Sequence, residues 1–285
     1  MLKVRSEAPL PSPRELPFDL TTAVLAAREA VKAAEEVSTR HWRADGRAPY
    51  VLKEDGTELG PDVAAEEAMV QAIRTRFPDH AVLGEETGSS GECETRWVID
   101  PIDGTAGYLR GGAHWGPVLA LQHRGAVVAG AISLPRLGYR AWASLGGGTF
   151  RQDIPGGAEE RVTVANQSDW QQATLILGEL NQMARSPWDR EVWPAVSRLA
   201  ATARKARAHG DVAAFGEMLF GAHAWIEVGV RWWDVAPFAL MLREAGGRVT
   251  LFERDGETED RWSAVGSNAA LHPHLLATLG LPSAP

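Results

Sequence analysis

The sequence predicts a layered α/β protein, and three patterns carry that prediction. Two helical periodicities lie near the start, strand signals dominate the middle, and helices and strands alternate most regularly in the second half. With 285 residues, 45% hydrophobic and 23% charged, the chain is long enough for one large domain or two moderate ones. Either arrangement gives a core able to hold a buried polar site without disulfide or metal staples.

Residues 1–18 interleave Lys3, Arg5, Glu7, Arg14 and Glu15 with prolines and are expected to form a flexible arm. They hold no apolar run of signal-peptide length. Leu20, Val24, Ala27, Val31 and Ala34 recur at three- and four-residue spacing, which makes Asp19 to Arg40 an amphipathic helix with Asp19 as N-cap. Arg43 to Gly60 reads as a mobile loop or loose hairpin, with turns at Asp45-Gly46 and Asp55-Gly56. A second helix opens at Pro61-Asp62, buries Met69, Val70, Ile73 and Phe77, and stops at Pro78-Asp79. Strands are expected at Ala81–Leu83, Trp97–Ile99, a long hairpin over Val118–Leu134 turning at Arg124-Gly125, and Arg140–Leu145. Gly146-Gly147-Gly148 and the loose Gln152–Glu160 stretch place a boundary near residue 150, dividing the chain into 19–150 and 151–285. Beyond it the order is strand Val162–Val164, strand Thr174–Leu177, helix Arg190–Ala206, helix Val212–Phe220, strand Ala224–Val228, helix Val235–Ala245 and strand Arg248–Phe252.

Composition removes several classes. The net charge is −8 with no basic stripe, which argues against a nucleic-acid partner, because such binding neutralises phosphates with Lys and Arg. No segment approaches the roughly 18 apolar residues of a spanning helix, so no membrane partner is expected. The single cysteine, Cys93, excludes an internal disulfide and a cysteine-rich zinc site and fits a reducing cytoplasm. The eleven tryptophans are scattered and read as core or pocket wall.

Chemistry concentrates where carboxylates stand at the ends of elements. Leu83-Gly84-Glu85-Glu86 follows a strand; Trp97-Val98-Ile99-Asp100-Pro101-Ile102-Asp103-Gly104-Thr105 ends another in two aspartates three apart; Trp233-Asp234 opens a helix. Each has an ordinary account: a solvated acidic pair, a type I turn, an N-cap. Yet a carboxylate directly after Trp-Val-Ile must find a partner if buried, and a divalent cation is an economical one. Carboxylate, carbonyl and water oxygens suit Mg²⁺, and the histidines are not clustered as zinc would require. Gly104-Thr105-Ala106-Gly107 then supplies small residues whose bare amides suit an anion. Metal carboxylates beside an amide cradle make a phosphoryl-transfer layout, and with water as nucleophile it hydrolyses a phosphate ester.

These motifs, with Trp233-Asp234-Val235-Ala236 ahead of Arg243-Glu244-Ala245-Gly246-Gly247, resemble the inositol monophosphatase superfamily of Mg²⁺-dependent, lithium-sensitive phosphatases. The resemblance implies an αβαβα sandwich, two or three Mg²⁺ per subunit and a homodimer. It implies metal ligation by Glu85, Asp100, Asp103, Asp234 and the Ile102 carbonyl, with Asp62 at a further metal and Lys53 in the mobile loop. Gly104, Thr105 and the Ala106 amide match the phosphate turn, although members usually carry Thr, Ser or Lys at position 106. Thr105 with Glu85 would activate the water, and Asp103 belongs to the same catalytic set. Gly60-Pro61 departs from the usual approach to Asp62. Glu227, seven residues before Asp234, matches a substrate-recognition position, while His209-Gly210-Asp211 looks closer to the histidinol-phosphatase-like branch. Asp211 and Glu227 are therefore expected to meet the ammonium of a substrate such as histidinol phosphate, although Asp211 as a helix cap and Glu227 as a polar strand-end residue fit the sequence equally. The expected activity is hydrolysis of a small polyol or amino-alcohol phosphate, histidinol phosphate or inositol monophosphate. The alternatives are a 3′(2′),5′-bisphosphate nucleotidase and a non-catalytic phospholigand-binding protein of the same fold.

Overall fold

Consecutive strands pair to build most of one large sheet, strands distant in sequence pair to build a second, and helices fill the spaces around them. The computed structural model describes residues 2–5, 7–48, 51–52, 58–59, 61–185, 188–254 and 261–282. In chain order the first half holds β1 (Leu2–Val4), α1 (Leu20–His41), β2 (Val51–Leu52), β3 (Glu58–Leu59), α2 (Asp62–Arg76), β4 (Ala81–Gly84), β5 (Gly88–Ser90), β6 (Thr95–Asp103), α3 (Thr105–Leu109), β7 (Gly116–His123), β8 (Ala126–Leu134), β9 (Tyr139–Ser144) and β10 (Gly148–Asp153). The second half follows with β11 (Glu159–Val162), β12 (Thr174–Leu177), α4 (Leu180–Met183), α5 (Trp188–Glu191), α6 (Trp193–Thr202), β13 (Lys205–Ala208), α7 (Asp211–Leu219), β14 (Ala224–Val230), α8 (Ala236–Glu244), β15 (Gly247–Arg254), β16 (Trp262–Asn268) and α9 (His272–Leu279).

An eight-stranded sheet runs β11-β10-β9-β8-β7-β6-β4-β5 and a six-stranded sheet runs β1-β15-β16-β14-β12-β13. Helices α1 and α2 cover the outer face of the first sheet, where Ala26, Ala30, Met69 and Ile73 meet Trp97, Ile99 and Leu119. The small alanines on α1 allow its close approach to α2. Between the sheets lie α7 and α8, with Phe215 and Phe238 packed among Ile132 of the first sheet and Trp225 of the second. Outside the second sheet, α5, α6 and α9 bury Trp188, Leu199 and Leu275. The layers are therefore αβαβα, as the resemblance implies.

Local chemistry explains the turns. Asp19 caps α1, accepting from the Thr22 amide at 2.7 Å. The β7–β8 turn has positive φ at both Arg124 (49°) and Gly125 (83°), the pattern of a two-residue hairpin that follows strand twist.

Three expectations need correction. Residues 1–18 do not simply trail: β1 pairs antiparallel with β15, Leu2 opposite Arg254, so the arm's start completes the edge of the distant sheet. The division near residue 150 falls too early, because β10 and β11 still belong to the first sheet and carry it to Val162. The helix expected over Arg190–Ala206 breaks after Thr202, and Lys205–Ala208 becomes a parallel strand beside β12. Asp55-Gly56 lies outside the described residues.

Candidate active site

The irregular end of β6 creates the site. In a regular strand, residues three apart face opposite sides. The β6–β7 pairing shifts register between Asp100 and Asp103, and this bulge lets both carboxylates turn toward the same place. The Ile102 amide donates to Asp100 Oδ1 at 2.8 Å, fixing the first carboxylate against the bend. Asp234 arrives from the connection between β14 and α8 in the other half of the chain. One oxygen each from Asp100, Asp103 and Asp234 lies within 4.8 Å of the others. Asp234 is not the helix cap that its position permits: Val235 occupies the cap, and Asp234 Oδ2 accepts from the Arg231 amide at 2.8 Å.

Glu85 joins the cluster from the turn after β4, in side-chain hydrogen-bond contact with Asp100. Its amide donates to the Ile99 carbonyl of β6 at 3.2 Å. The turn itself is held by Glu66, a fully buried acid on α2 that accepts from the amides of Glu86 and Thr87, each at 2.9 Å. Gly84 is required here, since a β-carbon would stand 2.2 Å from Glu66 Oε1.

Crowded, buried negative charge dominates the electrostatics. Burial and then the nearby Glu85, Asp103 and Asp234 hold the Asp100 carboxyl well above the ordinary carboxylate range. Asp103 is raised by burial, then by Asp211, Asp234, Glu85 and Glu227. Asp234 is raised chiefly by burial and Glu85, against the Arg231 amide hydrogen bond and the positive charge of Arg261. Asp103 Oδ2 is buried without a hydrogen-bond partner. An orphaned buried carboxylate oxygen facing hard oxygen donors of like charge is the environment a divalent cation satisfies, so this donor set fits Mg²⁺.

Beside it lies the anion cradle. Gly104 adopts φ +91°, and a β-carbon there would lie 2.7 Å from the His114 carbonyl, so both backbone angle and space demand glycine. No side chain caps α3, which leaves the amides after Gly104 available to an anion. Ala106 is exposed on this turn. Thr105 Oγ1 lies 3.0 Å from the Ile102 carbonyl and 3.2 Å from Asp62 Oδ1, and its single proton can serve one of them at a time. Asp62 is buried at the start of α2, and so is brought to Thr105 across the sequence. Lys53 and Gly60 lie outside the described residues.

Asp211 and Glu227 extend the acidic surface. Asp211 has φ +63° and does not cap α7: Gly210 holds that position without a side-chain bond. Burial, Glu179 and Glu85 push its carboxyl up to about 7. Glu227 is buried on β14, its Oε1 accepting from the Glu179 amide at 2.8 Å, and burial is the main cause of its raised pKa. Gly178 makes room for it, since a β-carbon there would lie 1.5 Å from Glu227 Oε2.

Sequence reading missed Glu66 and Glu179. Glu66 had a legible signal, standing four residues after Asp62 on the buried face of one helix. Glu179 had none, because its place depends on how β12 lies beside β14.

Residues 19–280 match the inositol monophosphatase family. A histidinol-phosphatase of Mycobacterium tuberculosis is 35% identical over 221 residues, covering 76% of this chain and 82% of that protein. An inositol-1-monophosphatase of Caulobacter vibrioides is 30% identical over 260 residues, covering 89% and 96%. The extragenic suppressor protein suhB of Bartonella henselae shares the fold with a TM-score of 0.76 at 24% identity, over 90% of this chain and 98% of that one. With the acidic cluster, glycine turn and layered sheets in the same chain, this protein belongs to the inositol monophosphatase family.

Proposed function

We propose that the protein is a Mg²⁺-dependent phosphomonoesterase acting on a small polyol or amino-alcohol phosphate, with histidinol phosphate as first substrate and inositol monophosphate as second. The observation that carries this reading is the convergence of Asp100, Asp103 and Asp234 within 4.8 Å, with a buried Asp103 oxygen left unpaired. Glu85, Asp100, Asp103, Asp234 and the Ile102 carbonyl would hold the metal, and Asp62 stands where a third ion would be bound. Mg²⁺ bound there supplies Lewis acidity, lowering the pKa of water and neutralising charge on the leaving oxygen.

The chain's own groups do the rest. The amides of Gly104, Thr105 and Ala106 take the phosphate oxygens. Thr105, held between Asp62 and the Ile102 carbonyl, orients the attacking water, and Glu85 accepts its proton. In-line attack then needs no covalent phospho-enzyme. Asp211 and Glu227 set the substrate's other end; burial and like charge hold both carboxyls above the ordinary range, and a cationic amino alcohol, unlike a neutral polyol, would offset that repulsion and favour their ionised forms. The same reading includes a homodimer in the cytoplasm, supported by the family resemblance and checked by sedimentation. Among the described residues no helix is long and apolar enough to cross a membrane.

The test is phosphate release from histidinol phosphate, inositol 1-phosphate and a 3′,5′-bisphosphate nucleotide, with Mg²⁺ and with EDTA. Mg²⁺-dependent release from histidinol phosphate at the highest kcat/KM is expected. Preference for the nucleotide would overturn the substrate assignment, and no release from any of them would leave a phospholigand-binding protein.

A further inference from the structure

A second cavity opens beside the acidic site. It has a volume of about 220 Å³ and is lined by His114, Tyr139, His209, Glu217 and Phe220 among others. The His114 and His209 rings stand edge to face with centroids 5.2 Å apart, and the Tyr139 and Phe220 rings do the same at 4.7 Å. Its floor is α7, where Gly216 is closely approached by the Tyr139 hydroxyl. The cavity adjoins the phosphate turn by two routes. The His114 carbonyl and Asp211 Oδ2 are both first neighbours of the space a Gly104 β-carbon would fill, at 2.7 and 3.1 Å. His209 lies two residues before Asp211, and Asp211 is the first residue of the helix that forms the floor.

We infer that this cavity is a subsite for the planar, nitrogen-containing end of the substrate, with His114 and His209 as its specificity-determining walls. The inference rests on the phosphatase reading above and adds the part of the molecule that selects the ester. Size permits it: a cavity of roughly 150 Å³ admits a benzene ring, so this one holds a five- or six-membered heterocycle with room for solvent. Shape favours it, because two edge-to-face aromatic pairs leave ring faces and edges on which a flat group packs. Charge favours it as well. Among the described residues that line the cavity, Glu217 is the charged side chain, while Arg151 stacks on the Phe220 ring at 4.4 Å and Asp211 begins the helix that forms the floor. A basic ring would meet the Glu217 carboxylate there. An inositol ring, puckered and rimmed with hydroxyls, gains little from the same walls.

The test compares kcat/KM for histidinol phosphate and inositol 1-phosphate in the wild type, His114→Ala, His209→Ala and His209→Phe, with Mg²⁺ throughout. In the two alanine variants the histidinol-to-inositol ratio of kcat/KM is expected to fall at least ten-fold, through KM for histidinol phosphate. His209→Phe, which keeps a flat ring, should recover part of that loss. Parallel losses on both substrates, or no loss on either, would overturn the subsite while leaving the phosphatase intact. Failure of the wild type to release phosphate from both would instead defeat the underlying reading, and the subsite with it. Circular dichroism and thermal melting of each variant identify any loss due to misfolding, and a double His114→Asn/His209→Asn variant then replaces it.

Discussion

Asp103→Asn is expected to lower Mg²⁺-dependent phosphate release by about 10³-fold or more, the rate equivalent of several kcal/mol of transition-state stabilisation. The substitution keeps shape and removes one charge from the centre of the cluster. Because Asp103 is surrounded by Asp211, Asp234, Glu85 and Glu227, its carboxylate repels its neighbours when no cation is present. The variant should therefore melt in EDTA no lower than the wild type. The wild type should gain stability with Mg²⁺, by about 2.7 kcal/mol at a hundredfold excess over Kd, and the variant should gain far less. Thermal melts with and without Mg²⁺, beside the rate assay, check both halves. A variant that melts much lower in EDTA would show that Asp103 is a structural group.

Glu35→Ala is expected to cost about 3–5 kcal/mol of stability. Glu35 on α1 is buried and receives Arg140 Nε at 2.7 Å and Nη2 at 2.6 Å from β9, together with the Ser133 hydroxyl at 2.7 Å from β8. This bidentate pair ties the outer helix to the first sheet. Truncating the acid strands a partly buried guanidinium and a buried hydroxyl, which costs more than the pair itself contributes. The double variant Glu35→Met/Arg140→Met removes both charges at similar volume and should regain most of the loss. Urea unfolding measures the pair of values. If the double variant were as unstable as the single one, packing at α1 rather than the stranded charge would explain the effect.

How much of this was legible in the chain depended on whether a feature is local. Asp100, Asp103, Gly104 and Thr105 lie within one short stretch of the chain, so a strand running into two acids and a glycine turn could be read directly. The amphipathic α1 and the Arg124-Gly125 hairpin were equally plain, because their periodicity and turn chemistry agree with the fold. Lys205–Ala208 carries no strand signal and becomes β13 only because β12 offers an open parallel edge. Trp262–Asn268 likewise forms β16 through pairing with β14 and β15, with Ser263 and Ser267 buried where alternation would place apolar groups. In the site, Asp211 could equally be a cap, and only its left-handed backbone and the side chain's place among acids separate the two roles. Glu66 works through the Glu85–Thr87 turn twenty residues away, a contact made only once α2 lies on the sheet.

The central claim is that acids from separate parts of the chain converge to hold hard cations beside a backbone cradle. Anomalous diffraction at the manganese edge from crystals of the full chain soaked in Mn²⁺ and inorganic phosphate tests it most directly. The account predicts manganese peaks among Glu85, Asp100, Asp103 and Asp234, with phosphate against the Gly104–Ala106 amides. Absence of manganese there at saturating concentration, or ordered metal only at other residues, would contradict it.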